Sequence, residues 1–382
     1  MIRTAFNPVQ HGFKFRNDFV NNVITVPSLG INFDTFGRCG GMAFAGLDYW
    51  HHHLAVPEDS SLPIDGTLLS TYIYDRLMNS IMANAFKNFH FMRTPDHPTW
   101  INGIGVARAT REEEFPRLKQ LIDQGQPCAL GLAKATNIGE FGNNHQVVAY
   151  GYEVGVPYST VLIYDNNFPN TEVRLTFTTS YDPGERQVHH SEGSDWRGFF
   201  VESYAPQIPY FLANGSLLSE FSQAETYVAR GGGRFWINSP AEFDANGFVW
   251  SAVLETADSS MKHVSTYPAN ATLLRERDAA PVYLVYGGVP FHIPSPPVFD
   301  ALGFQWQAVL SIPAGSIGQL RKFPANGTLL KEITAPEVFL AENGSLRHIQ
   351  SPTTFEALGF SWANVGTVPD GGLGMFPKGP PL

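Results

Sequence analysis

Phe36-Gly37-Arg38-Cys39-Gly40-Gly41-Met42-Ala43-Phe44 sets a cysteine where a glycine-broken loop turns into an apolar run, Met42 to Trp50, long enough to be a helix. A thiol at a helix N-terminus faces unpaired backbone N–H groups and the positive end of the helix dipole. That setting lowers a thiol's pKa and raises its thiolate fraction, which is what a nucleophile needs. The plainer account is a small cysteine packed as a hydrophobe. Taken alone, the stretch favours the plainer account, because catalytic cysteines are rare.

Two later segments reverse that balance. Asn143-Asn144-His145-Gln146-Val147-Val148-Ala149-Tyr150-Gly151-Tyr152 puts a histidine at the mouth of an apolar strand. Thr160-Val161-Leu162-Ile163-Tyr164-Asp165-Asn166-Asn167 ends a second strand on a carboxylate and two amides. A cysteine, then a histidine opening a strand, then Asp or Asn closing the next is the chain order of papain-like hydrolases. On these motifs residues 1–205 resemble the branch of that superfamily that includes bacterial leader-peptide-cleaving domains, whose third member is an Asp. They are also similar to a set of bacterial proteins carrying Cys-Gly-Gly-Met, Asn-His-Gln-Val and Tyr-Asp in this order.

The resemblance implies an α+β papain-like domain, with N-terminal helices and a C-terminal antiparallel sheet. It implies Cys39 as nucleophile, His145 as general base and then acid, and Asp165 or Asn166 as the group that orients the imidazole. Such a triad splits acyl transfer into thioester formation and hydrolysis, acts on a peptide or amide substrate, and calls for no cofactor or metal ion. The Cys39 N–H would be one oxyanion donor. The family's side-chain donor is a glutamine about six residues before the nucleophile. Here Phe33 stands at that place, between Asn32 and Asp34, so Asn32 or another amide would have to serve.

Composition bounds the alternatives. At 382 residues the chain is long for one core and suggests two or three domains. Hydrophobic residues make up 43%, which suits a globular fold, and 36 Gly with 28 Pro point to many turns. A net charge of −10 with no Lys/Arg block argues against a nucleic-acid partner and an anionic membrane surface. No stretch approaches the ~20 apolar residues of a membrane span. Met1 to Pro8 lack the apolar core of a signal peptide, so a cytoplasmic location is expected, with export by a signal-less route as the alternative. Two cysteines, Cys39 and Cys128, make no disulfide framework. Cys128 lies inside an apolar run and reads as structural.

Along the chain, residues 1–35 read as extended segments and turns anchored by Phe13, Phe15 and Phe19. The first helix should run from Gly40 to about Leu54, ending near His51-His52-His53. Adjacent helical residues point ~100° apart, so the triple histidine reads as charge near a helix C-terminus rather than a metal site. A second helix is expected from Thr67 to about Phe86, and a third from the acidic turn Glu112-Glu113-Glu114 through Ile122, stopped by Gly125. Thr94-Pro95-Asp96-His97-Pro98 reads as a surface turn. After Gln126 the pattern changes to strands, at 127–133, 145–153, 160–165, 171–179 and 198–204. Helices first and a sheet afterwards is an α+β order.

Residues 206–382 are a different object. Ala213-Asn-Gly-Ser-Leu-Leu218 recurs as Ala269-Asn-Ala-Thr-Leu-Leu274 and Ala325-Asn-Gly-Thr-Leu-Leu330, and Gly247-Phe-Val-Trp250 recurs ending at Trp306 and Trp362. Both motifs repeat at intervals of 56 residues, giving copies at about 213–268, 269–324 and 325–382. Each copy should be β-rich, with the Leu-Leu strand, a hairpin turned at Gly-Gly or Asn-Gly, and one short helix opened by Ser-Pro. A unit of this size must share a core or sheet edge with its neighbours, and compact closure of the three copies about a pseudo-threefold axis is expected over a row. The repeated Trp250, Trp306 and Trp362 are expected in cores rather than as sugar-stacking platforms. Asn214, Asn270, Asn326 and Asn343 sit in glycosylation sequons but read as turn residues. The copies resemble repeats at the ends of bacterial hydrolases and surface proteins, which implies a glycan or cell-surface ligand.

The expected function is a cysteine-dependent peptidase or amidase carrying a C-terminal binding array. A non-catalytic protein on the same scaffold and a transglutaminase-type acyltransferase are the alternatives. Cys, His and Asp standing together favours chemistry; the missing glutamine favours a binding protein.

Overall fold

The computed structural model describes residues 1–20, 37–96, 105–179 and 188–382, with the backbone of two short strands inside 21–36. The chain forms two compact units. One holds Met1–His51, Glu58–Asp65 and Leu69–Gln207; the other holds His52–Pro57, Gly66–Leu68 and Ile208–Leu382.

The first unit begins with β1 (Ile2–Arg3), α1 (Pro8–His11), β2 (Ile24–Val26) and β3 (Ile31–Phe33). Helices α2 (Cys39–His51), α3 (Leu68–Arg93) and α4 (Val106–Ala109) follow, then a π-helical turn at Thr110–Glu114 that runs into α5 (Phe115–Asp123). The sheet comes last, in β4 (Cys128–Ala133), β5 (His145–Glu153), β6 (Tyr158–Tyr164), β7 (Val173–Thr178), β8 (His189–His190) and β9 (Gly198–Val201). Its order is β8-β7-β6-β5-β4-β9, with β1 added on β5, and every pairing is antiparallel. This is a mixed helix-and-sheet unit in α+β order.

The strands read as continuous apolar runs because both sheet faces are covered. Ala43, Phe44 and Leu47 of α2 pack with Val148, Tyr150, Leu162 and Tyr164 on one face. Phe115, Leu118 and Ile122 of α5 pack with Leu130, Val147, Val161 and Ile163 on the other. Burying one such side chain contributes ~1.5–3 kcal/mol, so each helix is held chiefly by its sheet face rather than by helix propensity.

Two helices differ from the sequence expectation. α2 stops at His51 rather than about Leu54, and α3 continues past Phe86 to Arg93. The extension has tertiary causes. Lys87 donates to the Val201 carbonyl, and Phe91 packs against Phe200. Those partners lie over a hundred residues away and outweigh local propensity. The acidic start of α5 is a π-turn for a similar reason: buried Glu114 binds Lys87 and the Val201 N–H.

The second unit contains three four-stranded sheets. The first copy has β10 (Leu217–Glu220), β11 (Thr226–Arg230), β12 (Gly233–Ile237), α6 (Pro240–Ala245) and β13 (Val253–Thr256). The second has β14 (Thr272–Glu276), β15 (Val282–Tyr286), β16 (Val289–Ile293), α7 (Pro296–Ala301) and β17 (Val309–Ile312). The third has β18 (Leu329–Glu332), β19 (Val338–Glu342), β20 (Ser345–Ile349), α8 (Pro352–Ala357) and β21 (Val365–Val368). In each, the hairpin lies to one side of the first strand, and the last strand pairs with that first strand in parallel.

Successive leucines of the first strand face opposite ways, as strand geometry requires. Leu273 joins Phe299 in its own copy's core, while Leu274 joins Val228 and Phe235 of the copy before. Leu329 and Leu330 divide in the same way.

The copies stack in a row rather than closing on themselves. The Gly231 carbonyl accepts the Ala269 N–H at 2.8 Å, and the Gly287 carbonyl accepts the Ala325 N–H at 2.9 Å. The matching turn of the third copy, at Gly344, faces open space, and the C-terminal tail pairs with β20 through the Leu346 N–H to the Pro377 carbonyl. The first copy makes the same contact, from the Arg234 N–H to the Ser265 carbonyl at 2.8 Å, so this segment belongs to the repeat itself.

The repeated polar residues are internal latches. Asn214, Asn270 and Asn326 each accept a backbone N–H 17 residues on, from Gly231, Gly287 and Asn343, at 2.6, 2.7 and 2.9 Å. Glu220, Glu276 and Glu332 each accept one 41 residues on, from Met261, Ile317 and Leu373, at 2.7, 2.8 and 2.8 Å.

The tryptophans depart from expectation. Trp250, Trp306 and Trp362 are 54%, 50% and 51% exposed. Each lies flat on a fully buried phenylalanine, Phe243, Phe299 or Phe355, with ring centroids 3.8–4.1 Å apart. The phenylalanine takes the core position, and the indole rides on it with its other face outward.

Candidate functional site

Cys39 opens α2 immediately after a tethered residue. Arg38 donates its backbone N–H to Asn17 Oδ1 at 2.6 Å, and its carbonyl accepts the Met42 N–H at 2.9 Å, starting the helix. The Arg38 guanidinium is buried, bonded to Asp65 and Ser70 and lying over the rings of Phe19 and Tyr74. Two glycines allow the helix start to come close. A Cβ on Gly40 would lie 1.8 Å from Gln146 Oε1, and one on Gly41 would lie 1.9 Å from the Ile73 carbonyl oxygen. Farther along α2, buried Asp48 gathers the Arg76 guanidinium, the Tyr72 and Tyr204 hydroxyls and the Gln207 N–H, anchoring the helix.

His145 is the first residue of β5 and Asp165 follows the last residue of β6. Register between these adjacent antiparallel strands brings both to one end of the sheet. His145 Nε2 lies 2.8 Å from Asp165 Oδ1. That leaves Nδ1 for the thiol, and the Cys39 side chain acts on His145 both by hydrogen bonding and by charge. Burial works against the imidazolium, but the Asp165 charge and hydrogen bond, with the Cys39 contribution, push the His145 pKa up to about 10. Asp165 is nine-tenths buried or more, which opposes its charge; His145, His190 and the Asn167 N–H hold it ionised, below the usual carboxylate range. The Trp196 ring stacks on the imidazole at 5.9 Å and 17°.

The structure therefore brings Cys39, His145 and Asp165 together. It separates Asp165 from Asn166, which the sequence had left as alternatives for the third position. Asn166 Nδ2 donates to the carbonyls of Cys39 (3.1 Å) and Gln146 (3.0 Å), tying the start of α2 to β5. The side chains of Asn32, Phe33 and Asp34, weighed for the oxyanion role, lie outside the described residues, as does His97.

Cys128 sits on the far face of the sheet among Leu130, Val147 and Phe199, and burial pushes its thiol up to about 12. Both cysteines are free. Glu202, missed by the sequence reading, is buried behind Gln146, whose Nε2 donates to it at 2.6 Å, and burial pushes its carboxyl up to about 8. His190, Trp196 and Asn17 were also missed. Only their proximity in the fold gives them a part, and no local pattern marked them. Among the described residues, no group of three or more His, Cys, Asp or Glu side chains is arranged to hold a metal ion. His51, the first of the triple histidine, stacks on Tyr204.

No family model and no curated protein matches this chain. Among solved structures, a chain from the periplasmic assembly of the ESX-5 inner membrane complex aligns over 44% of this chain and 67% of its own length. Identity there is 11% and the TM-score 0.13, too low to carry an argument about fold or function. No helix among the described residues is long and apolar enough to cross a membrane.

Proposed function

We propose that this protein is a cysteine-dependent hydrolase, a peptidase or amidase, with a papain-like domain over residues 1–205. The observation that carries the reading is His145, buried and engaged by Cys39 on one side and by ionised Asp165 on the other. A helix opening on the thiol and packed across an antiparallel sheet, whose strand ends offer the imidazole and carboxylate, supports the papain-like assignment.

An imidazolium beside a thiol stores the thiol's proton and leaves Sγ as thiolate. Sγ attacks the amide carbon, and the carbonyl electron pair moves onto oxygen, where the Cys39 N–H at the first turn of α2 receives the charge. Collapse expels the amine, which takes the proton from His145 Nδ1 and leaves a thioester. Water then gives a proton to Nδ1 as it attacks the thioester. Release of the acid restores the thiolate–imidazolium pair. Asp165 keeps its charge throughout and fixes the imidazole tautomer. With an amine in place of water the same steps give transglutaminase-type transfer.

The test is labelling with an iodoacetamide probe at about pH 6, with the modified residue located by mass spectrometry. Cys39 should react and Cys128 should not, and His145→Ala should slow the labelling of Cys39. Equal labelling at both cysteines would leave a scaffold without chemistry.

For the repeats, a glycan or cell-surface ligand is the reading that the outward indole faces support. A flat aromatic face backed by a buried ring is a stacking surface for a sugar. Replacing Trp250, Trp306 and Trp362 by Ala in the full chain should abolish retention on insoluble peptidoglycan or polysaccharide; unchanged retention would remove the reading.

A further inference from the structure

We propose that His190 is a positioning residue of the Cys39 site, holding the Asp165 carboxylate so that Oδ1 faces His145. The inference rests on the hydrolase reading above and adds a fourth member to its hydrogen-bonded chain.

His190 lies on β8, a strand of only two residues at the edge of the sheet. It is 2% exposed, and its Nε2 is 2.9 Å from Asp165 Oδ2. Its other nitrogen, Nδ1, accepts the Glu192 N–H at 3.1 Å. An imidazole nitrogen that accepts carries no proton, so the Glu192 N–H assigns the ring hydrogen to Nε2 and aims it at Asp165. Phe168 packs against the ring, with centroids 5.8 Å apart. His189, by contrast, turns outward to Asp195. The short strand thus delivers one buried donor to one carboxylate oxygen.

The other carboxylate oxygen is shared. Asp165 Oδ1 is 2.8 Å from His145 Nε2 and accepts the Asn167 N–H at 2.8 Å. The terminal torsion of an Asp side chain is broad, so a carboxylate held at one oxygen can turn. With Oδ2 tied to His190, rotation would break a charge-assisted hydrogen bond in a buried setting. Among the described residues, the titratable groups that face Asp165 are His145, with Cys39 beyond it, His190, and Tyr164, whose hydroxyl accepts the Phe13 N–H. The Asn167 N–H goes to Oδ1, and among the described residues His190 is the partner of Oδ2.

The consequence is a coupling between an edge-strand histidine and the nucleophile. Loss of the Oδ2 donor raises the free energy of the ionised carboxylate and loosens its aim. Both effects weaken the imidazolium at His145 and reduce the thiolate held beside it.

The experiment uses the full chain and follows Cys39 alkylation by iodoacetamide across pH, with the site read by mass spectrometry. His190→Phe keeps a ring and removes the donor; His190→Gln offers an amide N–H at similar reach. His190→Phe should lose roughly tenfold in Cys39 alkylation rate at about pH 6 and recover at alkaline pH. His190→Gln should restore most of the acid-side rate. The ring itself is read in the wild type by ¹⁵N NMR, which should find a proton on Nε2 and none on Nδ1 at neutral pH. A wild-type profile that depends on His145 and survives unchanged in His190→Phe overturns this inference alone. A wild-type profile of an ordinary thiol, indifferent to His145→Ala, overturns the hydrolase reading and this inference with it. Should His190→Phe fail to fold, an Nδ1 proton in the wild type, or His190→Gln as slow as His145→Ala, overturns the proposal.

Discussion

Replacing Asp165 by Asn preserves shape and removes the charge on which His145 depends. His145 is buried, and its pKa stands at about 10 against an ordinary value near 6.5 because Asp165 and Cys39 outweigh burial. That interval is a net linkage of about 5 kcal/mol, left after burial has opposed the charge, and removing one partner of a buried ion pair typically costs about 3–5 kcal/mol. The sign follows from the two shifts. A histidine whose folded pKa is raised contributes stability that is complete below its unfolded value and is lost as pH rises towards about 10. A carboxylate whose folded pKa is lowered contributes stability above its unfolded value and loses it as pH falls through the acid range. The difference between wild type and Asp165→Asn should therefore be largest from about pH 4 to 6.5 and shrink steadily above that. Denaturant unfolding of the full chain, followed through a signal from the first unit at several pH values, measures it. Cys39→Ser serves as a control for the thiol's share of the imidazolium's stability. A wild-type advantage that stays constant from pH 5 to 9.5, or that grows with pH, would refute the ion-pair account.

The repeats allow two further tests. Phe299→Ala empties a fully buried site and should cost about 3–5 kcal/mol, whereas Trp306→Ala, which uncovers one ring face, should cost about half as much; thermal melting that ranks them the other way would return the indole to the core. Glu276→Ala strands the Ile317 N–H and should cost about 1.5–3 kcal/mol, while Glu276→Gln keeps an acceptor and should cost less than about 1 kcal/mol. The same pairs at Glu220 and Glu332 repeat the measurement at equivalent latches, and three unrelated values would show that they are not equivalent.

Much of this protein is written locally. The 56-residue period, the Ser-Pro helix starts and the hairpin turns of each copy need only neighbouring residues, and they stand in the structure at the expected places. The change from helical to strand periodicity after Gln126 is local too, and so is the placement of Cys39 at a helix start. The sequence also named the three residues that now meet at one end of the sheet, because their order matched a known arrangement. It did not separate Asp165 from Asn166. Adjacent strand-end residues differ only in which way they point, and that depends on pairing with β5 twenty residues away. His190 carried no local mark at all, since a two-residue edge strand has no period to read and its partner lies 25 residues back. The reach of α3 to Arg93, the row of copies and the half-open indoles were likewise decided by contacts between distant segments. Periodicity records which residues are apolar and which way a segment repeats. Which buried face meets which partner is settled only when register and packing bring the segments together.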